Sequence, residues 1–118
     1  MKLVAFVPTT DLERAHDFYG AVLGLRRVEE SEFANAYEVT GTTLRVTLVE
    51  EVAPAPYTVL GFSVPDIAST VGALGVEFKR YAGLEQDADG IWTAPGGSRI
   101  AWFEDPDGNT LSLQQQPE

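Results

Sequence analysis

The order of hydrophobic and polar residues divides the first half of the chain into short strands and one helix. An apolar run over residues 3–7 ends at Pro8 and predicts a buried first strand. From residue 11 to residue 23, apolar side chains recur every three or four positions, which is typical of one face of a helix. Asp11 is a suitable N-cap for this helix, and Gly24 is a suitable stop.

Three strands are predicted after this helix, at residues 25–30, 32–39 and 43–49. In the last of them apolar and polar side chains alternate, so the two faces of the strand differ. The apolar set, which we expect to pack on the helix, is Leu44, Val46 and Leu48. Arg45 and Thr47 lie on the other face, which points either to solvent or to a cavity.

The second half repeats this order of elements. After a proline-rich linker at residues 51–56, the pattern predicts a strand at 57–64, a helix at 67–74 and a strand at 76–81. The helix opens at Pro65-Asp66 and stops at Gly75. An irregular segment at 83–95 follows, and a hairpin with strands at 100–103 and 111–113 ends the series. Asp105 and Asp107 lie in its Asp-Pro-Asp-Gly-Asn turn, which we interpret as a turn without a further role.

The two halves therefore form a repeat with a period of about 55 residues. We expect an α+β fold of two βαβββ modules in tandem, at residues 1–50 and 57–118, within a single domain. Each half-sheet has a helix-facing side and a second side. The two together are expected to form a curved mixed sheet around a cup, with the helices on the outer face.

Composition narrows the function classes. The 118 residues carry a net charge of −10, which repels phosphate backbones and argues against nucleic-acid binding. No apolar run approaches the roughly 18 residues of a membrane span, and the run at residues 3–7 is too short for a signal peptide. The chain has no cysteine, which excludes disulfides and thiolate metal sites. We expect a cytoplasmic protein with no nucleic-acid or membrane partner.

Two motifs at the ends of this repeat carry a family resemblance. They are Asp-Leu-Glu-Arg-Ala-His-Asp-Phe-Tyr-Gly-Ala-Val-Leu-Gly-Leu at residues 11–25 and Trp-Phe-Glu-Asp-Pro-Asp-Gly-Asn-Thr-Leu-Ser-Leu at residues 102–113. With the βαβββ repeat, they resemble the vicinal oxygen chelate superfamily, which includes glyoxalase I, extradiol dioxygenases, fosfomycin-modifying enzymes and bleomycin resistance proteins. The resemblance covers nearly the whole chain and implies a homodimer. Both motifs form scaffold, so they indicate no single activity.

The resemblance also implies where a divalent metal is held in the enzymes of the superfamily. Carried onto this sequence, the four ligand positions are Val4, Thr47 or Arg45, Val59 and Ser112. Valine has no donor atom, hydroxyls alone bind hard cations weakly, and an arginine repels a cation. His16, the only histidine, cannot build a metal site alone and is interpreted as a surface helix residue. We therefore expect neither a metal nor another cofactor.

We expect the cup to bind a small molecule instead. The residues predicted to face it are Phe6, Arg45, Thr47, Val59, Ser63, Thr110 and Ser112, a mixture of apolar and hydrogen-bonding groups that is typical of ligand pockets. We also include Trp92, in the irregular segment, and Trp102 as candidate ligand contacts, because their aromatic rings can stack on a planar ligand. Trp102 also fits a core position beneath a helix.

Four functions stay open. We favour a metal-free, homodimeric binding protein similar to the bleomycin resistance type, which sequesters a planar or cationic natural product and so confers antibiotic resistance. The second and third are a lyase, isomerase or dioxygenase-like enzyme that uses the same cup, either without a metal and with Arg45 as an anion clamp, or with a divalent metal on displaced ligands. The fourth is a degenerate paralogue with a structural or regulatory role. No catalytic residue is assigned, because the pattern gives Ser112 and Thr47 no adjacent base.

Overall fold

The computed structural model describes all 118 residues and divides them into two compact units. Unit 1 consists of Met1–Pro54 together with Asp105–Asn109, and unit 2 consists of Ala55–Glu104 together with Thr110–Glu118. Each unit contains a four-stranded mixed sheet and one helical region. The α+β class and the two βαβββ modules are confirmed. The curved sheet around a cup, the single domain and the module limits of 1–50, 51–56 and 57–118 stay predictions.

The sheet of unit 1 has the strand order β1-β4-β3-β2, with β1 parallel to β4 and the other neighbours antiparallel. Its strands are β1 (Val4–Thr9), β2 (Arg26–Glu30), β3 (Ala34–Val39) and β4 (Thr42–Leu48). Val7, Tyr37, Leu44 and Val46 are almost fully buried and form the core of this unit.

Strand β1 continues through Pro8, where the sequence pattern placed its end. β1 is an edge strand that pairs only with β4, and an edge strand tolerates a residue without an N–H on its free side. Strand β4 buries Leu44 and Val46 as expected. Leu48 was expected on the same packed face, but it is the last residue of the strand and is 42% exposed.

The helix predicted over residues 11–23 is two segments. Helix α1 (Leu12–His16) begins at Asp11, whose carboxylate accepts a 3.0 Å hydrogen bond from the Arg14 backbone N–H. A π-helical turn, Asp17–Val22, follows without a break. A Cβ on Gly20 would overlap the His16 ring, so the missing side chain at Gly20 leaves room for that ring over the turn. Hydrophobic spacing alone does not separate an α-helix from this wider turn.

The sheet of unit 2 has the same topology, β5-β8-β7-β6, with β5 parallel to β8. Its elements are β5 (Leu60–Ser63), α2 (Ile67–Leu74), β6 (Trp92–Thr93), β7 (Arg99–Glu104) and β8 (Thr110–Gln115). Helix α2 has the predicted bounds: Asp66 caps it through the Ser69 N–H at 3.1 Å, and Gly75 ends it with φ 65°. No helix in the structure is both long enough and apolar enough to cross a membrane.

Residues 76–81 do not form the predicted strand, and β5 is shorter than the predicted 57–64. In residues 76–81 the backbone is bound by the Gln86 side chain, which donates to the carbonyl of Lys79 at 2.8 Å and accepts from the N–H of Tyr81 at 2.8 Å. These are backbone groups that a partner strand would otherwise bind. Strand β6 takes the edge position instead, inside the segment predicted to be irregular.

Candidate functional site

Within unit 1, two aspartates hold the turn Asp105–Asn109 in place, and Asp105 is one of them. This carboxylate is almost fully buried and accepts hydrogen bonds from the Tyr19 hydroxyl at 2.6 Å and from the Asn109 side chain at 2.8 Å. Its other oxygen accepts the backbone N–H groups of Asp107 and Asn109, each at 2.9 Å. Burial, followed by the charge of Asp105, raises the pKa of Tyr19 far above its usual range, so the hydroxyl stays a donor.

Asp107 anchors the same turn on its other side. Its carboxylate accepts from the Thr9 hydroxyl at 2.6 Å, from the Thr10 N–H and hydroxyl at 3.0 and 2.9 Å, and from Arg14 at 2.7 Å. Burial opposes the charge, but the hydrogen bonds of Thr9 and Thr10 and the charge of Arg14 outweigh it and lower the pKa of Asp107. The expectation that the two aspartates only form a turn was therefore wrong. Tyr19, which binds Asp105, and the Thr9, Thr10 and Arg14 partners of Asp107 lie more than 80 residues away in sequence, so no local pattern indicates these contacts.

In unit 2, three aromatic side chains form a cluster, defined here as Tyr81, Trp92 and Trp102. The Trp102 ring lies edge-on to Tyr81 at 5.2 Å between centroids and is tilted 32° from Trp92 at 6.1 Å. Trp102 alternates along β7 with Ala101 and Phe103, which are fully buried, so its side chain lies on the opposite sheet face. The alternative of a Trp102 packed beneath the helix was wrong. All three rings keep solvent exposure.

An ion pair borders this aromatic cluster. The Lys79 ammonium lies 2.7 Å from the Glu104 carboxylate, 3.5 Å from the Thr110 hydroxyl and 5.7 Å from the centre of the Tyr81 ring. The hydrogen bond to Glu104 raises the pKa of Lys79. A cavity of about 330 Å³ is lined by residues 76–79 and Glu104. Sequence reasoning missed Lys79 and Tyr81 because it assigned residues 76–81 to an ordinary strand.

The other residues of unit 2 that were predicted to face the cup lie on the same sheet face as Trp102. Ser112 pairs in register with Trp102 and with Gly61, and Ser63 lies two residues farther along β5. Ser112 is only 8% exposed, and its Oγ lies 2.9 Å from where a Cβ of residue 61 would stand. The hydroxyl therefore fills the space above Gly61. Val59 is half-exposed, and its N–H donates to the Thr110 carbonyl at 3.0 Å.

The predicted residues of unit 1 lie on one face of its sheet. Phe6 pairs in register with Arg45, and Pro8 with Thr47, so Phe6, Arg45 and Thr47 lie opposite the buried Val7 and Val46. Phe6 is 63% exposed, and the Arg45 guanidinium lies 3.9 Å from Glu29. The Thr47 hydroxyl oxygen is buried without a hydrogen-bond partner.

His16 is not the surface residue that the helical pattern indicated. Its Nδ1 lies 2.8 Å from the Tyr37 hydroxyl, and the two rings are stacked with centroids 5.9 Å apart. Tyr37 comes from β3, so a contact between a helix and a sheet, rather than the helical pattern, determines where this ring lies.

Comparison with known proteins identifies the family. The model of the Glyoxalase/Bleomycin resistance protein/Dioxygenase superfamily matches residues 3–113. The chain belongs to this superfamily. The member of it from Sphaerobacter thermophilus is 25% identical, with a TM-score of 0.74 and coverage of 98% of this chain and 97% of that one.

Two further solved structures show the same fold. The glyoxalase/bleomycin resistance protein/dioxygenase from Alicyclobacillus acidocaldarius is 20% identical, with a TM-score of 0.72 and coverage of 100% and 92% of the two chains. The lactoylglutathione lyase from Agrobacterium tumefaciens is 18% identical, with a TM-score of 0.73 and coverage of 98% and 92%. No curated protein matches the sequence significantly.

The residues at the ligand positions implied for metal-dependent enzymes of this superfamily do not fit a divalent cation. Val4 and Val59 offer no donor atom, and Ser112 offers a hydroxyl packed over Gly61. The remaining position holds Thr47 or Arg45, a neutral hydroxyl or a cation. The structure also contains no group of three or more His, Cys, Asp or Glu side chains arranged to hold a metal ion.

Proposed function

We propose that this superfamily member is a metal-free binding protein that sequesters a planar small molecule. We favour a planar molecule that carries a positive charge. The aromatic cluster of unit 2 carries the proposal. Tyr81, Trp92 and Trp102 are partly exposed on the sheet face opposite α2, where large aromatic rings have no helix to pack against. Such rings supply flat apolar area for a planar ligand, and a few polar groups beside them orient it.

Charge supports a cationic ligand. The chain carries a net charge of −10, and a field of that sign concentrates cations near the surface. Next to the aromatic cluster, the Glu104 carboxylate is about half-exposed and can accept a second donor besides Lys79. A planar cation would stack on the rings and donate to Glu104.

The alternative of a lyase, isomerase or dioxygenase-like enzyme has less support. Lys79 is the cation next to the aromatic cluster, and its raised pKa keeps it protonated at neutral pH. A protonated lysine orients or neutralises a ligand but removes no proton from it. Arg45, proposed as an anion clamp, has Glu29 as a charge partner at 3.9 Å.

The test uses intrinsic fluorescence. Both tryptophans of the chain belong to the aromatic cluster, so their emission changes when a ligand stacks on this surface. Titration with the planar cation 9-aminoacridine is expected to give saturable quenching, and calorimetry supplies Kd. Titration with Ni²⁺, Zn²⁺, Mn²⁺ or Fe²⁺ is expected to give no saturable response. Stoichiometric metal binding would overturn the metal-free part of the proposal.

A variant pair locates the binding. Trp92→Ala is expected to raise the Kd for 9-aminoacridine about fivefold or more, because an aromatic contact contributes on the order of 1 kcal/mol beyond its buried area. Tyr57→Ala removes another exposed aromatic of unit 2 and serves as the matched control, with unchanged Kd. Equal effects of the two variants would show that the aromatic cluster is not the site.

A cytoplasmic homodimer is part of the proposal. Large apolar side chains of unit 1, among them Phe6 at 63% and Phe33 at 66% exposure, support a surface that a second copy covers. Light scattering on the eluting protein is expected to give twice the chain mass of 12.8 kDa. A monomeric mass at micromolar concentration would remove this part of the proposal.

A further inference from the structure

A groove of about 530 Å³ in unit 1 has no part in the function proposed above. One wall is α1 and the start of the π-helical turn, and the other is formed by β2 and β3. The side chains that matter are Glu13, His16 and Asp17 on the helical wall and Arg27, Glu30 and Asn35 on the sheet wall. π-Helical turns are rare, and they occur frequently at functional sites.

The His16 ring is held in a fixed position in this groove. Its Nδ1 binds the hydroxyl of Tyr37, which is fully buried, and the two rings lie within 18° of parallel. A Cβ on Gly20 would displace the ring, so the glycine is part of the arrangement. With Nδ1 engaged by Tyr37, Nε2 is the ring nitrogen left for a ligand. A hydroxyl group matches Nε2 in either tautomer, because it both donates and accepts.

The charges of the groove favour a cation. Glu30 forms an ion pair with Arg27 at 3.1 Å, whereas Glu13 and Asp17 form no ion pair within the protein. Glu13 and Asp17 are four residues apart, a spacing that places side chains on one helix face, and His16 lies three residues from Glu13. The groove therefore presents two uncompensated carboxylates next to an oriented imidazole.

We propose that this groove is a second small-molecule site, for a primary amine that carries hydroxyl groups, such as an amino alcohol or an amino sugar. The ammonium group binds the carboxylates of Glu13 and Asp17, and a hydroxyl binds Nε2 of His16. The site is independent of the aromatic cluster, which belongs to unit 2.

The test uses the fact that His16 is the only histidine of the chain, so its ring resonances are unique in an NMR spectrum. D-Glucosamine is titrated at constant pH and ionic strength. N-Acetylglucosamine, which has the same sugar ring without the positive charge, is the matched ligand control. The expected result is a saturable shift of the His16 ring resonances with glucosamine only. No saturable shift with glucosamine, or the same shift with both sugars, would overturn the proposal.

Variants locate the site. The double variant Glu13→Gln/Asp17→Asn keeps side-chain size and removes both charges, and it is expected to weaken glucosamine binding about tenfold or more. Glu51→Gln, an exposed carboxylate of unit 1 outside the groove, is the control, with unchanged binding. Unweakened binding in the double variant would place the amine elsewhere and overturn the proposal. Because Trp92→Ala tests 9-aminoacridine binding in unit 2 and the His16 resonances test glucosamine binding in unit 1, either proposal can fail without the other.

Discussion

At the residue scale, the Asp107 side chain combines near-complete burial, at 3% exposure, with four hydrogen bonds. The Thr10 N–H and the Arg14 guanidinium can only donate, and the hydroxyls of Thr9 and Thr10 donate to the same carboxylate, so the ionised form satisfies all four. Removing the charge leaves the donors of Thr9 and Thr10 partly unpaired in a closed environment, and an unpaired buried donor costs more than a lost surface contact.

The variant Asp107→Asn is expected to lower the free energy of unfolding by about 2 kcal/mol, because an amide removes the charge that pairs with Arg14 and replaces the acceptor of the Thr9 hydroxyl by an N–H₂ group. Urea denaturation at pH 7 measures the change. Asp89→Asn is the matched control, since this exposed aspartate of unit 2 forms no ion pair and should leave the stability unchanged. A loss equal to that of the control would contradict the assigned role.

The same carboxylate gives the stability a pH dependence. The pKa of Asp107 is lowered from 3.8 on folding, so its contribution is complete above pH 3.8 and is lost as the pH falls through the folded pKa. Denaturation midpoints of the wild type should fall more steeply below pH 4 than those of Asp107→Asn. Parallel curves for the two proteins would show that another group controls acid unfolding.

Tyr19→Phe tests the second anchor of the turn. It leaves Asp105 without its 2.6 Å hydrogen bond, and a bond to a charged acceptor contributes roughly 1.5–3 kcal/mol. Tyr57→Phe, at a 67% exposed tyrosine, is the control with no expected change. Since burial raises the pKa of Tyr19, the wild type should also lose stability as the pH rises above 10, and the Phe variant less so.

At the element scale, the boundaries that depend on local chemistry were predictable from the sequence. Helix α2 begins and ends where the sequence predicts, because Asp66 caps its first turn and Gly75 stops its last turn. Both residues act within one turn of the helix end. The contacts that the sequence pattern did not indicate are those of the Gln86 side chain with residues 79–81 and that of the His16 ring with Tyr37. The first are bonds of a polar side chain to backbone five and seven residues away, and the second joins a helix to a strand, so the spacing of hydrophobic residues indicates neither.

The same division applies to the candidate sites. Trp92 and Trp102 were named as candidate stacking residues from the sequence, Trp92 because a large aromatic in an irregular segment is not explained by packing, and their contact with a ligand stays a prediction. Lys79 and Tyr81 were not named, because their role depends on an irregular segment that follows the edge of β7. The His16 groove was missed altogether, since its walls come from a helix and from strands that the pattern treats separately.

Replacing Gly72, within α2, and Gly75, directly after it, by alanine should change the stability in opposite directions. Gly72 is exposed within the helix with nothing within 4 Å of an added Cβ, so Gly72→Ala is expected to stabilise by about 0.5–1 kcal/mol. Gly75 has φ 65°, so Gly75→Ala is expected to destabilise by about 1 kcal/mol. Urea denaturation of both variants measures the difference, and a change of the same sign in both would contradict the assigned helix end.

At the scale of the whole molecule, the net charge of −10 acts on any charged ligand. Raising the salt concentration from about 10 mM to about 0.5 M shortens the screening length severalfold, so the affinity for 9-aminoacridine should fall. The affinity for acridine at a pH where it is neutral should stay nearly constant. Equal salt dependence of the two ligands, measured by calorimetry, would show that stacking alone determines binding.

The inclusion of Asp105–Asn109 in unit 1 makes the two repeated modules unequal. A gene fragment ending at Pro54 encodes every strand of unit 1 but none of the carboxylates that Tyr19 and Arg14 bind. Unit 2 takes no segment from the first half of the chain. The effect of a circular permutation should therefore depend on where the new termini lie. New termini at residues 40–41 spare both aspartates, whereas new termini between Asp107 and Gly108 cut the segment that completes unit 1.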